Sequence, residues 1–310
     1  SNRTSSPSRE PGCLLRDSRQ SINFQKVRCC TVSDHPFEPI DRLYSRIDRE
    51  RQESDAALLQ SLLYAGEMIL KMAVGGMVSC VADDRERHRY RHLYNLVRQG
   101  AVGAWSSELD QILTGPTSQH IFGAARLEQR QLTQKHTETG TWQYDSAEKM
   151  HRCARIANPD MEPLPGRLYG RSWFSYFPPP RNKTRGHGAT TPDEAHQIAP
   201  ILEESIRLFA DNFNLFQRPW ANLRRNHSGK YNVSNISPDE ENKFYPLSTK
   251  QGKSVNLDDG VYVWIDRWAK VDLVRSNSNL DDFYVPNGDA DGDTFELRSF
   301  ITNSTKEGNL

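Results

Sequence analysis

Cysteine is scarce in this 310-residue chain and poorly placed for structural work. Cys13, Cys29, Cys30, Cys80 and Cys153 are odd in number, and no CxxC pair or Cys/His cluster of zinc spacing occurs. That excludes a disulfide framework, gives no reason to expect a metal or other cofactor, and fits a reducing, cytoplasmic setting. Net charge is lacking too: 40 Lys and Arg balance 40 Asp and Glu, so no global field draws the chain onto nucleic acid. No apolar run reaches the roughly 20 residues that span a bilayer. The nearest, residues 58–81, is broken by Gln60, Glu67 and Lys71 and reads as a buried helix. The first residues hold no apolar stretch followed by a small-residue cleavage site, so neither secretion nor membrane attachment is expected. Gly-x-Gly-x-x-Gly, the P-loop, Gly-x-Ser-x-Gly and His-Glu-x-x-His are absent as well.

What is present divides the chain in three. Residues 1–36 are rich in Ser, Arg and Pro without periodicity and read as a disordered tail. From Pro39 the apolar positions Ile40, Leu43, Tyr44, Ile47, Leu58, Leu62, Ile69, Ala73 and Met77 recur at helical spacing, as one long helix or two in series. Residues 83–91 read as a solvated continuation or as a separate helix running to about Arg98. Further helices are expected over 105–113, 121–135 and 142–156, then a proline-containing loop to Pro178-Pro179-Pro180. The last helix is the most clearly marked: Thr191 is an N-cap, Pro192 suits the first position and Glu194 completes a capping box. Ile198, Ile201, Leu202, Ile206, Phe209, Phe213 and Phe216 line one of its faces. Residues 37–217 thus form a helical bundle. Residues 218–310 carry short alternating segments (230–234, 243–247, 260–266, 271–274 and 295–302) separated by Asn, Asp, Gly and Ser. These predict a small antiparallel β domain, whose closeness to the chain end suggests a link to a further C-terminal part.

Local charge is unlike the global balance. Between residues 151 and 190 stand Arg152, Arg155, Arg167, Arg171, Arg181, Lys183 and Arg185, against only Asp160 and Glu162. Within this region lies Arg181-Asn182-Lys183-Thr184-Arg185-Gly186-His187-Gly188, just before the last helix. RNA cleavage by its own 2′-hydroxyl needs a proton acceptor, a proton donor for the leaving 5′-oxygen, and positive charge for the pentacoordinate phosphate. His187 has the side chain whose ordinary pKa permits both proton roles near neutrality. Arg181 can clamp phosphate oxygens in two-pronged fashion. Lys183 and Arg185 add charge for substrate binding, Asn182 can orient an oxygen or the imidazole, and the following helix offers backbone N–H groups. Pro178-Pro179-Pro180 predicts an extended segment carrying Arg181, because proline is not tolerated inside a helix.

The Arg-Asn-x4-His stretch resembles the motif of the HEPN family (higher eukaryote and prokaryote nucleotide-binding), and residues 39–217 carry the resemblance. It implies a HEPN-like helical bundle, metal-independent cleavage of single-stranded RNA, and homodimerisation with two motifs facing one groove. A bacterial defence or toxin–antitoxin setting, with an antitoxin or effector partner, is also implied. The alternative is a non-catalytic helical sensor or dimerisation module of a larger protein.

Other features read more plainly. Glu67, four residues before Lys71, fits an i,i+4 ion pair at the core edge, or else a carboxylate that orients the basic motif. His88 and His92 have metal-pair spacing but no evident acidic ligand beside them, and read as a solvated helix face. Asn287-x-Asp289-x-Asp291-Gly292 lacks the glutamate of a calcium loop at Arg298 and reads as an acidic turn. Trp173, Phe174, Tyr176 and Phe177 fit base stacking or core packing.

Overall fold

The computed structural model describes residues 35–186, 191–225, 231–236, 245–246, 257–276, 283–286, 294–299 and 305–309. All lie in the unit Ser33–Leu310. Residues 1–34 of the expected tail, the stretch 287–292 and His187 lie outside the described residues.

The described chain is mainly α-helical with a smaller antiparallel β part. The first apolar stretch resolves into two helices, α1 (Glu38–Glu50) and α2 (Asp55–Ser79). The charged turn after Glu50 breaks the pattern, and Ser54 restarts it by accepting a hydrogen bond from the Ala57 N–H at 3.1 Å. α2 is the centre of the fold. It is long and apolar enough to cross a membrane by those criteria alone, but 89% of its apolar window is buried inside the protein. α1 packs on it through Ile40, Leu43 and Ile47, and α4 (Val102–Thr114) and α9 (Pro192–Asn212) cover other sides. A helix apolar all round has to be enclosed in this way.

The 83–91 stretch does not continue α2. The chain makes a single bridge, Val81 to Ile121, and restarts as α3 (His88–Arg98). After α4 come a 3-10 turn (Pro116–His120), α5 (Arg126–Thr133) and α6 (Trp142–Ala157). The expected loop up to the three prolines instead holds α7 (Ser172–Tyr176) and α8 (Pro178–Gly186). A short pair joins β1 (Lys135–His136) to β2 (Leu168–Tyr169). α9 begins with both bonds of the expected capping box, Thr191 Oγ1 accepting from Glu194 N–H and Glu194 Oε2 from Thr191 N–H. Asn212 ends it. Phe213 caps it, and Phe216 falls on α10 (Asn214–Gln217).

The aromatic residues before the basic stretch are core. Trp173 stacks between Phe177 (5.6 Å between centroids) and Phe209 (4.7 Å), and its indole N–H donates to Ser205 Oγ at 3.0 Å. Trp173, Phe174 and Phe177 are buried and Tyr176 is half-buried, so at most Tyr176 remains open to stacking.

Beyond α10, β3 (Trp220–Arg225), β4 (Tyr231–Asn235), β5 (Tyr245–Pro246), β6 (Gly260–Trp264) and β7 (Trp268–Lys270) form an antiparallel sheet of order β5-β4-β3-β6-β7. A second has order β11-β10-β9-β8, from β8 (Arg275–Ser276), β9 (Phe283–Pro286), β10 (Thr294–Ser299) and β11 (Thr305–Asn309). The 271–274 segment is a turn, not a strand; Val271 and Leu273 use it to reach the α2 backbone at Gly75. At Gly76 a Cβ would lie 2.6 Å from Leu215 Cδ2, so a larger residue there would push the Leu215 side chain out of its place against α2. Through these positions the helices and the first sheet share one hydrophobic core.

Candidate functional site

Three successive prolines do not prevent a helix when they open it. The first-turn N–H groups of a helix have no partner four residues back, so their absence costs little. Pro178, Pro179 and Pro180 fill that turn of α8, and Arg181 N–H then bonds to Phe177 O at 3.4 Å. Arg181 therefore stands on a helix, not on the extended segment expected.

The pairing partners follow from helical spacing. Phe177 and Arg181 are four residues apart and share a face; they meet two consecutive residues of α2. The Phe177 ring lies against the bare Gly66 backbone, where a Cβ would be 2.3 Å from Cε2. Beside it, Glu67 Oε2 accepts from both Nε and Nη2 of Arg181 at 3.3 Å. The other oxygen, Oε1, lies 3.3 Å from Lys71 Nζ, which sits 5.4 Å from the Trp105 ring centroid. Glu67 and Lys71 are essentially inaccessible, at 1% and 0% exposure, while the Arg181 side chain is 23% exposed. The i,i+4 pair expected at the core edge lies inside the core, and the second oxygen of the same carboxylate reaches Arg181. The fold thus runs a charged chain from the core (Lys71) through Glu67 to a cation at the surface (Arg181). In so dry a setting each charge depends on its neighbour.

The rest of the motif lies outward. Arg181 Nη1 donates to Asn182 Oδ1 at 3.2 Å, and Asn182 is exposed. Lys183 Nζ donates to Glu194 Oε1 at 2.7 Å, tying α8 to the capping box of α9. The hydrogen bond from Lys183, then that from the Thr191 N–H, holds the Glu194 carboxyl below its usual range. This corrects one expectation. The α9 N-terminus is not an open set of donors: Pro192 has no N–H, the Glu194 N–H is taken by Thr191, and acidic Asp193 and Glu194 occupy the first turn. The side chain of Arg185 and all of His187 lie outside the described residues. Arg152 and Arg155 are exposed on α6, a helix that packs against α8.

The histidine pair on α3 is not a solvated face. His92 is buried, its Nδ1 2.6 Å from Glu108 and its Nε2 2.6 Å from Thr117. Burial raises the Glu108 carboxyl, but the hydrogen bonds from His92 and Asn95 outweigh it and lower its pKa. α3 instead exposes Tyr90 and Tyr94. Asp84 lies one helical turn before His88 and is bonded to it at 3.0 Å. It is the acidic neighbour that the His-x-x-x-His spacing alone did not bring forward. The groups able to hold a metal among the described residues are Asp84, His88 and His120. Spacing along the chain could not reveal that trio, because His120 joins it only through the fold.

Comparison with protein-family models, with curated proteins and with solved structures returns no match.

Proposed function

We propose that the chain is a metal-independent endoribonuclease of HEPN type, cutting single-stranded RNA by attack of its 2′-hydroxyl. Arg181 clamps the scissile phosphate, His187 moves the protons, Asn182 supports Arg181, and Lys183 and Arg185 attract the backbone. The observation that carries the reading is the buried Glu67, which fixes the Arg181 guanidinium through Nε and Nη2 and leaves Nη1 directed towards Asn182 at the surface. A group held in place beforehand loses less freedom when it stabilises a transition state. A HEPN-like bundle, a homodimer with two motifs facing one groove, and an antitoxin or effector partner belong to the same proposal.

The second reading is a non-catalytic sensor or dimerisation module. It is favoured by the same pair seen from the other side: an arginine neutralised by a core carboxylate can serve as a purely structural clasp.

The chemistry separates the two. Total RNA incubated with the wild-type chain and excess EDTA should yield fragments ending in 2′,3′-cyclic phosphate, and DNA should stay intact because it lacks the attacking hydroxyl. His187→Ala should abolish cleavage with little change in melting temperature. Arg181→Lys should lose most activity although the charge remains, since an ammonium cannot hold Glu67 through two nitrogens and still present a third to the phosphate. Lys183→Ala should act mildly, through the salt dependence of binding. A folded wild-type chain that cuts no RNA supports the clasp; cleavage lost in EDTA and restored by a divalent ion sinks the metal-independent mechanism.

A further inference from the structure

We propose that Asp84, His88 and His120 form a binding site for one divalent transition-metal ion of the zinc class, separate from the basic motif. The fold assembles it from two segments remote in sequence. Ala82 N–H donates to His120 O at 2.8 Å, and Phe122 N–H to Cys80 O at 2.9 Å. These bonds clip the Pro116–His120 turn to the chain leaving α2. A tight turn then sets Asp84 below the first turn of α3. Asp84 Oδ1 accepts from the Glu86 N–H at 2.7 Å, and Arg87 adopts the left-handed conformation (φ +58°) from which His88 opens the helix.

One ligand atom from each of the three residues can be chosen so that all lie within 4.8 Å of one another, and Asp84 Oδ1 stands 3.0 Å from His88 Nδ1. Tetrahedral zinc with ligands at roughly 2.0–2.1 Å has ligand–ligand edges of about 3.3 Å. The Asp84–His88 edge is already near that value. The His120 ring, stacked on His88 at 5.0 Å between centroids, has to close in, a movement that the broad χ2 torsion of histidine permits.

Two details exceed what a simple Asp–His hydrogen bond needs. Asp84 Oδ2 is buried and has no hydrogen-bond partner, and the His120 ring makes no side-chain hydrogen bond among the described residues. A buried carboxylate oxygen left without a partner is costly, and a cation chelated by both Asp84 oxygens satisfies Oδ2 while Oδ1 keeps the edge to His88. In addition, Glu86 Oε2 lies 3.3 Å from His88 Nε2. With Nδ1 on the ion, Nε2–H donates to Glu86, the outer carboxylate that orients metal-bound histidines. Two imidazoles and one carboxylate suit a borderline divalent ion, and the fourth position is left for water or another ligand. Twelve residues of α2 separate Glu67 from Ser79, roughly 18 Å along the helix axis, so the ion is not placed for the chemistry at Arg181.

The test is calorimetric titration of the full chain, stripped with chelator, with Zn2+, supported by the visible spectrum of bound Co2+. One saturable ion per chain is expected. Glu86→Gln should weaken it by roughly 10–100-fold, as for other outer partners. Asp84→Asn and His120→Ala should weaken it further. His120→Gln, which keeps the bulk of the side chain and the backbone clip, guards against a folding defect. His196→Ala, an exposed histidine paired with Asp55 elsewhere, should bind like wild type. Absence of stoichiometric Zn2+ binding by wild type, or wild-type affinity in folded Asp84→Asn and His120→Gln, overturns the assignment.

Discussion

Replacing Glu67 with glutamine keeps the volume and removes one charge, leaving Lys71 with no exposure and Arg181 half-buried beside a neutral amide. The desolvation of Lys71 is then no longer offset by the carboxylate 3.3 Å away. Breaking a buried pair from one side costs roughly 3–5 kcal/mol, a large share of the about 5–15 kcal/mol that holds an ordinary domain together. At about 2–4 °C per kcal/mol for a domain of 150–250 residues, the melting temperature should fall by roughly 6–20 °C. Calorimetric melting reads this directly. The companion variant is Glu67→Met with Lys71→Met, which removes both core charges and fills the space with apolar atoms. It should regain most of the loss, because the penalty comes from keeping a desolvated charge beside a neutral amide and not from the missing attraction. Arg181 then turns to solvent, so cleavage should stay impaired in a stable protein. Wild-type melting of Glu67→Gln would refute the reasoning, since it would mean that Lys71 and Arg181 do not depend on the charge of that carboxylate.

Gly66→Ala puts a methyl group where the Phe177 ring edge now lies, 2.3 Å from Cε2. Overpacking of this kind costs roughly 1–3 kcal/mol; the melting temperature and RNA cleavage should both fall, because Phe177, whose carbonyl accepts the Arg181 N–H, leads directly into α8. Burial, aided at Cys80 by the charge of Glu128, pushes the Cys80 and Cys153 thiols from 9.0 up to about 12. Folding therefore favours the protonated thiols: their contribution is intact below pH 9 and is lost as the pH rises from 9 towards 12. Alkaline melting should show that decline, and iodoacetamide at neutral pH should label neither thiol until the chain unfolds.

Much of the helical architecture is legible in local chemistry. Thr191, Pro192 and Glu194 mark the start of α9 because a helix N-terminus needs an acceptor, tolerates proline and favours acid within a few consecutive residues. The end of α6 at Asn158-Pro159 and that of α4 before Gly115-Pro116 are local in the same sense. The prolines before Arg181 misled for an instructive reason. Their effect depends on position within a helix, and the chain just before them is placed by Phe177 seating on Gly66, a contact between residues more than a hundred apart. Likewise, Val271 and Leu273 alternate like a strand, yet they serve in a turn that fits α2.

The basic stretch itself, its arginine, amide and histidine, was determined by the order of residues alone, as was the expectation of a helical bundle with a β-rich end. Only the tertiary structure decided what Arg181 faces. Glu67 and Lys71 look like one more i,i+4 pair until Arg181 of α8 reaches Glu67 on α2 and shares its carboxylate with Lys71. The same holds for His120, which meets Asp84 and His88 because a two-bond clip joins the Pro116–His120 turn to the end of α2. Periodicity and capping record interactions within about one helical turn. A buried charge or a ligand cluster is formed by groups that only packing brings together, and no local pattern carries that information.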